Sequence, residues 1–174
     1  RWRDVTKTSV VEGYGLTETS PVACCNPVDG NDRVGTIGIP LPSTDVKIVD
    51  EDGKDVAPGE AGELCVQGPQ VMKGYWNRDD ETQNVMLSGG WFRTGDVGRI
   101  DERGYVTIVG RSKDLIISGG YNVYPAEIES ALEEHPMVAS VAVIGIPDDD
   151  LGNKIHAIVQ PRGKLTEEEL RQHL

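Results

Sequence analysis

Three short segments of this 174-residue chain gather side chains that could bind a small anionic ligand. In Gly13-Tyr14-Gly15-Leu16-Thr17-Glu18, two glycines flank an aromatic ring, then a hydroxyl and a carboxylate follow. In Trp91-Phe92-Arg93-Thr94-Gly95-Asp96, a cation, a hydroxyl and a carboxylate surround a glycine. In Gly110-Arg111-Ser112-Lys113-Asp114, a basic polar knot precedes the glycine pair Gly119-Gly120. A glycine lets backbone approach a ligand closely, but it also serves ordinary turns. A carboxylate such as Asp96 can close a turn through backbone N–H groups, or accept two vicinal hydroxyls as in ribose recognition. The plain alternatives are a turn with a packed tyrosine at Tyr14, and a hairpin followed by a helix at Gly119-Gly120.

The composition bounds what those groups could meet. The formal net charge is −12, which argues against nucleic acid as a partner, because affinity there rests on Lys and Arg neutralising phosphates. Small anions stay open, since they need only local cations or backbone N–H groups. Cys24, Cys25 and Cys65 form no C-x-x-C pair, which suits a reducing, cytoplasmic setting better than a disulfide framework or a zinc site. No stretch is long and apolar enough to be a membrane-spanning helix. His135, His156 and His173 are scattered in sequence and suit surface or helix-end positions.

The elements that must position the three segments fall into two halves. Up to about residue 110, short strands separated by Gly and Pro turns predict a small twisted sheet or open barrel. Expected strands are a strand end at Ser9–Glu12, a weak one at Gly35–Ile39, Val46–Val49, Gly62–Gly68 with period-two alternation, Val97–Ile100, and Tyr105–Val109. Pro21–Arg33 reads as loop, Asp50–Gly53 as a solvated turn, and Asp79–Met86 as one or two helical turns. Trp91 and Phe92 are expected in the core. Beyond the basic knot, a strand at Leu115–Ile117, a helix opened by Pro125, strands at Val138–Ile146 and Ile155–Val159, and a second helix describe a compact α/β unit. Thr166 and Glu169 form a capping box, with Leu165 and Leu170 as a hydrophobic staple. That helix would ordinarily run past Leu174, and Arg1 opens without a start signal, so a segment of a longer chain is expected. The fold class is therefore α+β: a barrel-like part over residues 1–110, then a small α/β domain over 111–174.

Taken together and in order, with Gly62-Glu63-Leu64 and Gly74-Tyr75-Trp76 between them, the segments make the chain similar to the adenylate-forming superfamily of acyl-CoA synthetases, luciferases and peptide-synthetase adenylation domains. VEGYGLTETSP, GELCVQGPQVMKGYW and YNVYPAEIE resemble the branch of bacterial long-chain fatty-acid–CoA ligases. The resemblance implies two half-reactions. A carboxylate attacks the α-phosphate of ATP, giving acyl-AMP and pyrophosphate. The thiol of coenzyme A then attacks the acyl-adenylate, giving a thioester and AMP.

The resemblance also implies roles. Tyr14 would stack on adenine, with the backbone of Gly13 and Gly15 close to the acyl-adenylate. Thr17 would bond the α-phosphate and Glu18 would coordinate Mg2+. Asp96 and Arg111 would hold the ribose hydroxyls. Lys113 would be the hinge position, and Gly119 with Gly120 would line the pantetheine tunnel. The family's Ser/Thr/Gly-rich phosphate loop and its adenylation lysine have no counterpart here; Gly163-Lys164 reads as a turn. The segment alone is thus expected to be inactive, and the whole enzyme to take a fatty acid, ATP and coenzyme A. Chain-length preference, peripheral membrane association and oligomeric state stay open. So do an aryl, amino or short acyl substrate, and a truncated nucleotide- or partner-binding module.

Overall fold

The alternating segment Gly62-Glu63-Leu64-Cys65-Val66-Gln67 forms β5 (Gly62–Gln67), around which the first half is built. In the computed structural model, residues 2–8 and 10–174 are described. β5 lies between β4 (Asp45–Val49) and the ten-residue β7 (Trp91–Ile100), antiparallel to both. The short β6 (Met86–Leu87) and β8 (Val106–Arg111) also pair with β7, completing a five-stranded sheet. A second antiparallel sheet orders β1 (Gly13–Gly15), β2 (Val22–Cys25) and β3 (Ile39–Pro40). Reciprocal bonds from Ile37 N to Val106 O (2.9 Å) and from Val106 N to Gly38 O (2.8 Å) join the two sheets along one edge. Ala23, Cys24, Ile48, Leu64, Val66 and Val106 pack together as the core between them. The result is a curled, half-barrel arrangement, as expected from the strand spacing.

Contacts divide the chain into two compact units, Arg1–Ile108 and Val109–Leu174. In the second, β9 (Ile116–Ser118) and β10 (Tyr121–Val123) form a hairpin, and a longer hairpin pairs β11 (Val138–Asp148) with β12 (Gly152–Pro161). Helix α3 (Pro125–Glu133) has Pro125 at its first turn, where the missing N–H costs nothing, and stops before Pro136. It packs on β11: Glu129 Oε1 accepts the backbone N–H of Val143 at 2.8 Å, while Leu132, Val138 and Val143 are buried. Helix α4 (Glu167–His173) begins with the expected capping box. Thr166 Oγ1 accepts from Glu169 N at 3.3 Å, and Glu169 Oε2 accepts from Thr166 N at 2.8 Å. Two further helices lie in the first unit, α1 (Trp2–Thr6) and α2 (Asp79–Val85).

Several expectations need correction. Pro21–Arg33 is not all loop: Val22–Cys25 is a strand, and because Ala23 and Cys24 are both fully buried it shows no polar alternation. The weak strand at Gly35–Ile39 narrows to Ile39–Pro40. Ser9 lies outside the described residues; Val10–Glu12 form no strand, although Glu12 O accepts from Asn26 N at 2.9 Å. Phe92 is buried as expected, but Trp91 is half-exposed and carries the Lys47 ammonium 5.0 Å from its ring centroid. The strand expected at Tyr105–Val109 runs on to Arg111, and β10 has no counterpart in the sequence reading. His135 and His173 are distant in sequence, yet their rings meet edge to face at 5.0 Å.

Candidate functional site

Asp96 reaches its place because β7 does not run straight. Glu63 and Cys65 of β5 pair with Val97 and Arg93, so Thr94, Gly95 and Asp96 together oppose the single residue Leu64. Such a bulge re-aims a side chain out of the ladder. Gly95 sits at φ +75°, a left-handed conformation that glycine adopts without strain. Thr94 Oγ1 donates to Leu64 O at 2.8 Å and accepts from Asp96 N at 3.1 Å. Glu63 binds the other flank: Arg93 Nε donates to its Oε2 at 2.7 Å, the Arg93 Nη2 joins the same oxygen, and Gly95 N donates to its Oε1 at 3.1 Å. This pairing raises the Arg93 guanidinium above its ordinary value.

The bulge delivers Asp96 to Tyr14. Asp96 is only 7% exposed, and its Oδ2 accepts from Tyr14 Oη at 2.6 Å. Burial, and then this bond, push the Tyr14 phenol well above its usual range, so it stays a neutral donor. Tyr14 belongs to β1, whose register with β2 shifts between Tyr14 and Gly15. At Gly15 a Cβ would lie 1.7 Å from Pro21 O, so the glycine is demanded by the chain's own backbone. At Gly13 a Cβ would find only ordinary contacts, the nearest at 3.6 Å.

A second tyrosine–carboxylate couple lies four residues further along. Thr17–Thr19 is a 3-10 turn, anchored by the buried Thr19, whose Oγ1 donates to Pro21 O at 2.6 Å and accepts from Leu16 N at 2.9 Å. The turn leaves Thr17 exposed and Glu18 half-buried. Glu18 Oε1 accepts from Tyr75 Oη at 2.8 Å, and Glu18 O accepts from Met72 N at 2.8 Å. Burial and Glu18 together raise the Tyr75 phenol. Neither Tyr75 nor Glu63 stood out as a site residue in the sequence. The signals that could have found them are Gly74-Tyr75-Trp76 and Gly62-Glu63-Leu64, which lie 57 and 30 residues from their partners' segments.

The remaining site candidates belong to the second unit. Arg111 is exposed at the end of β8, and Lys113 is exposed in the middle of the 3-10 turn Ser112–Asp114. Gly119 (φ +56°) and Gly120 (φ +82°) are the two central residues of the β9–β10 hairpin, where positive φ at both positions is what a tight two-residue turn requires. The structure thus brings Tyr14 and Asp96 into contact, places Gly13, Gly15, Thr17 and Glu18 along the same strand and turn, and sets Arg111, Lys113, Gly119 and Gly120 on the other unit. Among the described residues no group of three or more His, Cys, Asp or Glu could hold a metal by itself. Glu18 is the carboxylate of this turn, and a magnesium ion typically needs just one or two protein carboxylates beside phosphate oxygens.

Known proteins resemble the chain in both of its units. The AMP-binding enzyme family matches residues 1–76, and the AMP-binding enzyme C-terminal domain matches residues 127–174. Long-chain-fatty-acid–CoA ligase of Escherichia coli O157:H7 is 47% identical over 98% of this chain and 30% of its own length. Indoleacetate–CoA ligase of Aromatoleum aromaticum strain EbN1 is also 47% identical, over 87% of this chain and 30% of its length. The crystal structure of ATP-bound MatB from Rhodopseudomonas palustris superposes with a TM-score of 0.90 at 42% identity, over 99% of this chain and 35% of that one. The chain thus spans about a third of the length of the relatives it matches. With both family matches in chain order and close relatives along nearly its whole length, the chain belongs to the adenylate-forming, AMP-binding enzyme family.

Proposed function

We propose that this chain is the nucleotide-recognising segment of an acyl-CoA synthetase that activates a fatty acid with ATP and passes the acyl group to coenzyme A. The observation that carries the reading is the 2.6 Å bond between Tyr14 and Asp96. It fixes an aromatic ring beside a carboxylate, and the adenosine of an acyl-adenylate needs those two chemistries: a π face for the base and an acceptor for vicinal hydroxyls. Thr17, exposed at the start of its turn, would donate to the α-phosphate. Glu18 would hold magnesium, with Tyr75 fixing the carboxylate through one oxygen. Magnesium, when bound, would offset phosphate charge as pyrophosphate leaves.

In the second unit, Arg111 is proposed as a further ribose contact and Lys113 as the pivot between the half-reactions. The Gly119–Gly120 turn is proposed to line the pantetheine path. Cys24, Cys25 and Cys65 are free thiols, which supports a cytoplasmic location. The segment by itself is proposed to be inactive, because no phosphate loop or adenylation lysine lies within it.

The fatty-acid assignment draws on the long-chain ligases; the indoleacetate ligase, at the same identity, favours an aryl acid as the second reading. Pyrophosphate release by the full-length enzyme, measured with palmitate, acetate, malonate, indoleacetate and benzoate, separates the two. Palmitate is expected to give the highest kcat/KM. A preference for indoleacetate or benzoate would overturn the fatty-acid reading, and no release with any acid would overturn the adenylation reading.

A further inference from the structure

We infer that Glu63 is a positioning residue for nucleotide recognition: it holds the bulge of β7 in the shape that presents Asp96, an inference that rests on the ribose role proposed above for Asp96. The bulge has three residues, one of them a glycine at φ +75°, and an unsupported excursion of that kind has many alternative conformations. Both carboxylate oxygens of Glu63 are committed to it. Oε1 takes the backbone N–H of Gly95 (3.1 Å), and Oε2 takes the Arg93 guanidinium through Nε (2.7 Å) and Nη2. The Glu63 side chain is 12% exposed and that of Arg93 31%, so the pair is substantially shielded from water. Charge-assisted bonds of this kind are stronger and more directional than neutral ones. Thr94 closes the opposite flank by bonding Leu64 O. Held on both sides, the bulge leaves Asp96 where Tyr14 can donate to it at 2.6 Å. Glu63 itself contacts backbone and Arg93, so it acts through the placing of Asp96.

The test uses the full-length enzyme and the ratio of kcat/KM for ATP to that for 2′,3′-dideoxy-ATP, which lacks both ribose hydroxyls. Glu63→Gln keeps the shape of the side chain but cannot accept from Gly95 and Arg93 together. It is expected to lower the ratio about tenfold, the scale of one charge-assisted bond, with KM for the acid unchanged. Asp96→Ala is expected to lower the ratio further, to the part that Arg111 holds, and Glu63→Gln added to it should change the ratio no further. If Asp96→Ala lowers the ratio while a folded Glu63→Gln leaves it at the wild-type value, the positioning role is overturned and the ribose reading stands. If Asp96→Ala leaves the ratio intact, the ribose reading falls and the inference with it. Should Glu63→Gln not fold, Glu63→Asp draws the carboxylate back by one methylene from Gly95 N and Arg93; a wild-type ratio in that folded variant overturns the inference equally.

Discussion

Two glycine-bearing segments of similar composition, one around Gly95 and one around Gly119, behave differently in this molecule. At Gly95 the backbone leaves its ladder and is held there by Glu63 and Thr94, delivering a nearly buried carboxylate to Tyr14. At Gly119 and Gly120 the backbone turns a hairpin, with Gly119 N donating to Leu151 O at 2.9 Å, and Arg111 and Lys113 are exposed. The first arrangement suits a group that must be in one place before a ligand arrives. The second suits a segment that can move without dismantling a core. Cation, hydroxyl, carboxylate and glycine occur in both, so residue type alone did not separate a braced bulge from a hairpin turn; the neighbouring strand did.

The contrast predicts unequal consequences of mutation. The largest effect is expected at Gly15, where a Cβ would stand 1.7 Å from Pro21 O. Gly15→Ala should destabilise the protein by about 3 kcal/mol or more, read as a fall in the denaturation midpoint. A midpoint within error of wild type would show that β1 and β2 can move apart.

The next effect is a pH dependence confined to the first unit. Burial pushes the Cys24 thiol up to about 12 and the Cys65 thiol up to about 11, from an ordinary 9.0. The folded state therefore retains protons that the unfolded state loses. Stability is intact below about pH 9 and falls as the pH rises from there towards the folded values. Thermal melts between pH 8 and 11 should record a loss on the order of a few kcal/mol, and Cys65→Ala should flatten the slope. A pH-independent midpoint over that range would contradict the burial of these thiols.

In the second unit the effects are smaller and kinetic. Lys113→Pro fixes φ in the exposed turn Ser112–Asp114. In the full-length enzyme it should slow one half-reaction more than the other, with little change in melting temperature. Equal slowing of adenylation and thioester formation would argue against a pivot there. Gly120→Ala forces a side chain onto a residue at φ +82° that has open space around it. A cost of about 1 kcal/mol is expected from the backbone conformation alone; a stabilised protein would mean that the turn has changed type.

What was legible in the sequence was mostly local. The Thr166–Glu169 capping box, Pro125 at a helix start, the turn at Asp50–Gly53 and the alternation of Gly62–Gln67 each write their signal within a few residues. Val22–Cys25 was missed because its central pair is buried on all sides and it follows Pro21 and precedes Asn26 and Pro27, so turn-forming residues dominate its surroundings. The site was half legible. Tyr14, Glu18 and Asp96 could be named from their glycine-flanked segments. The bonds Tyr14–Asp96, Tyr75–Glu18 and Arg93–Glu63 span 82, 57 and 30 residues, and no local pattern encodes such pairings.

Asp96, held by Tyr14 and the β7 bulge, is proposed to recognise the ribose of ATP. The most direct test of this role is the apparent KM for ATP of Asp96→Ala in the full-length enzyme, measured at saturating acid and coenzyme A. Loss of hydrogen bonds to a charged acceptor predicts a rise of about 10- to 100-fold, with KM for the acid little changed. An unchanged KM for ATP in a folded variant would remove Asp96 from ribose recognition.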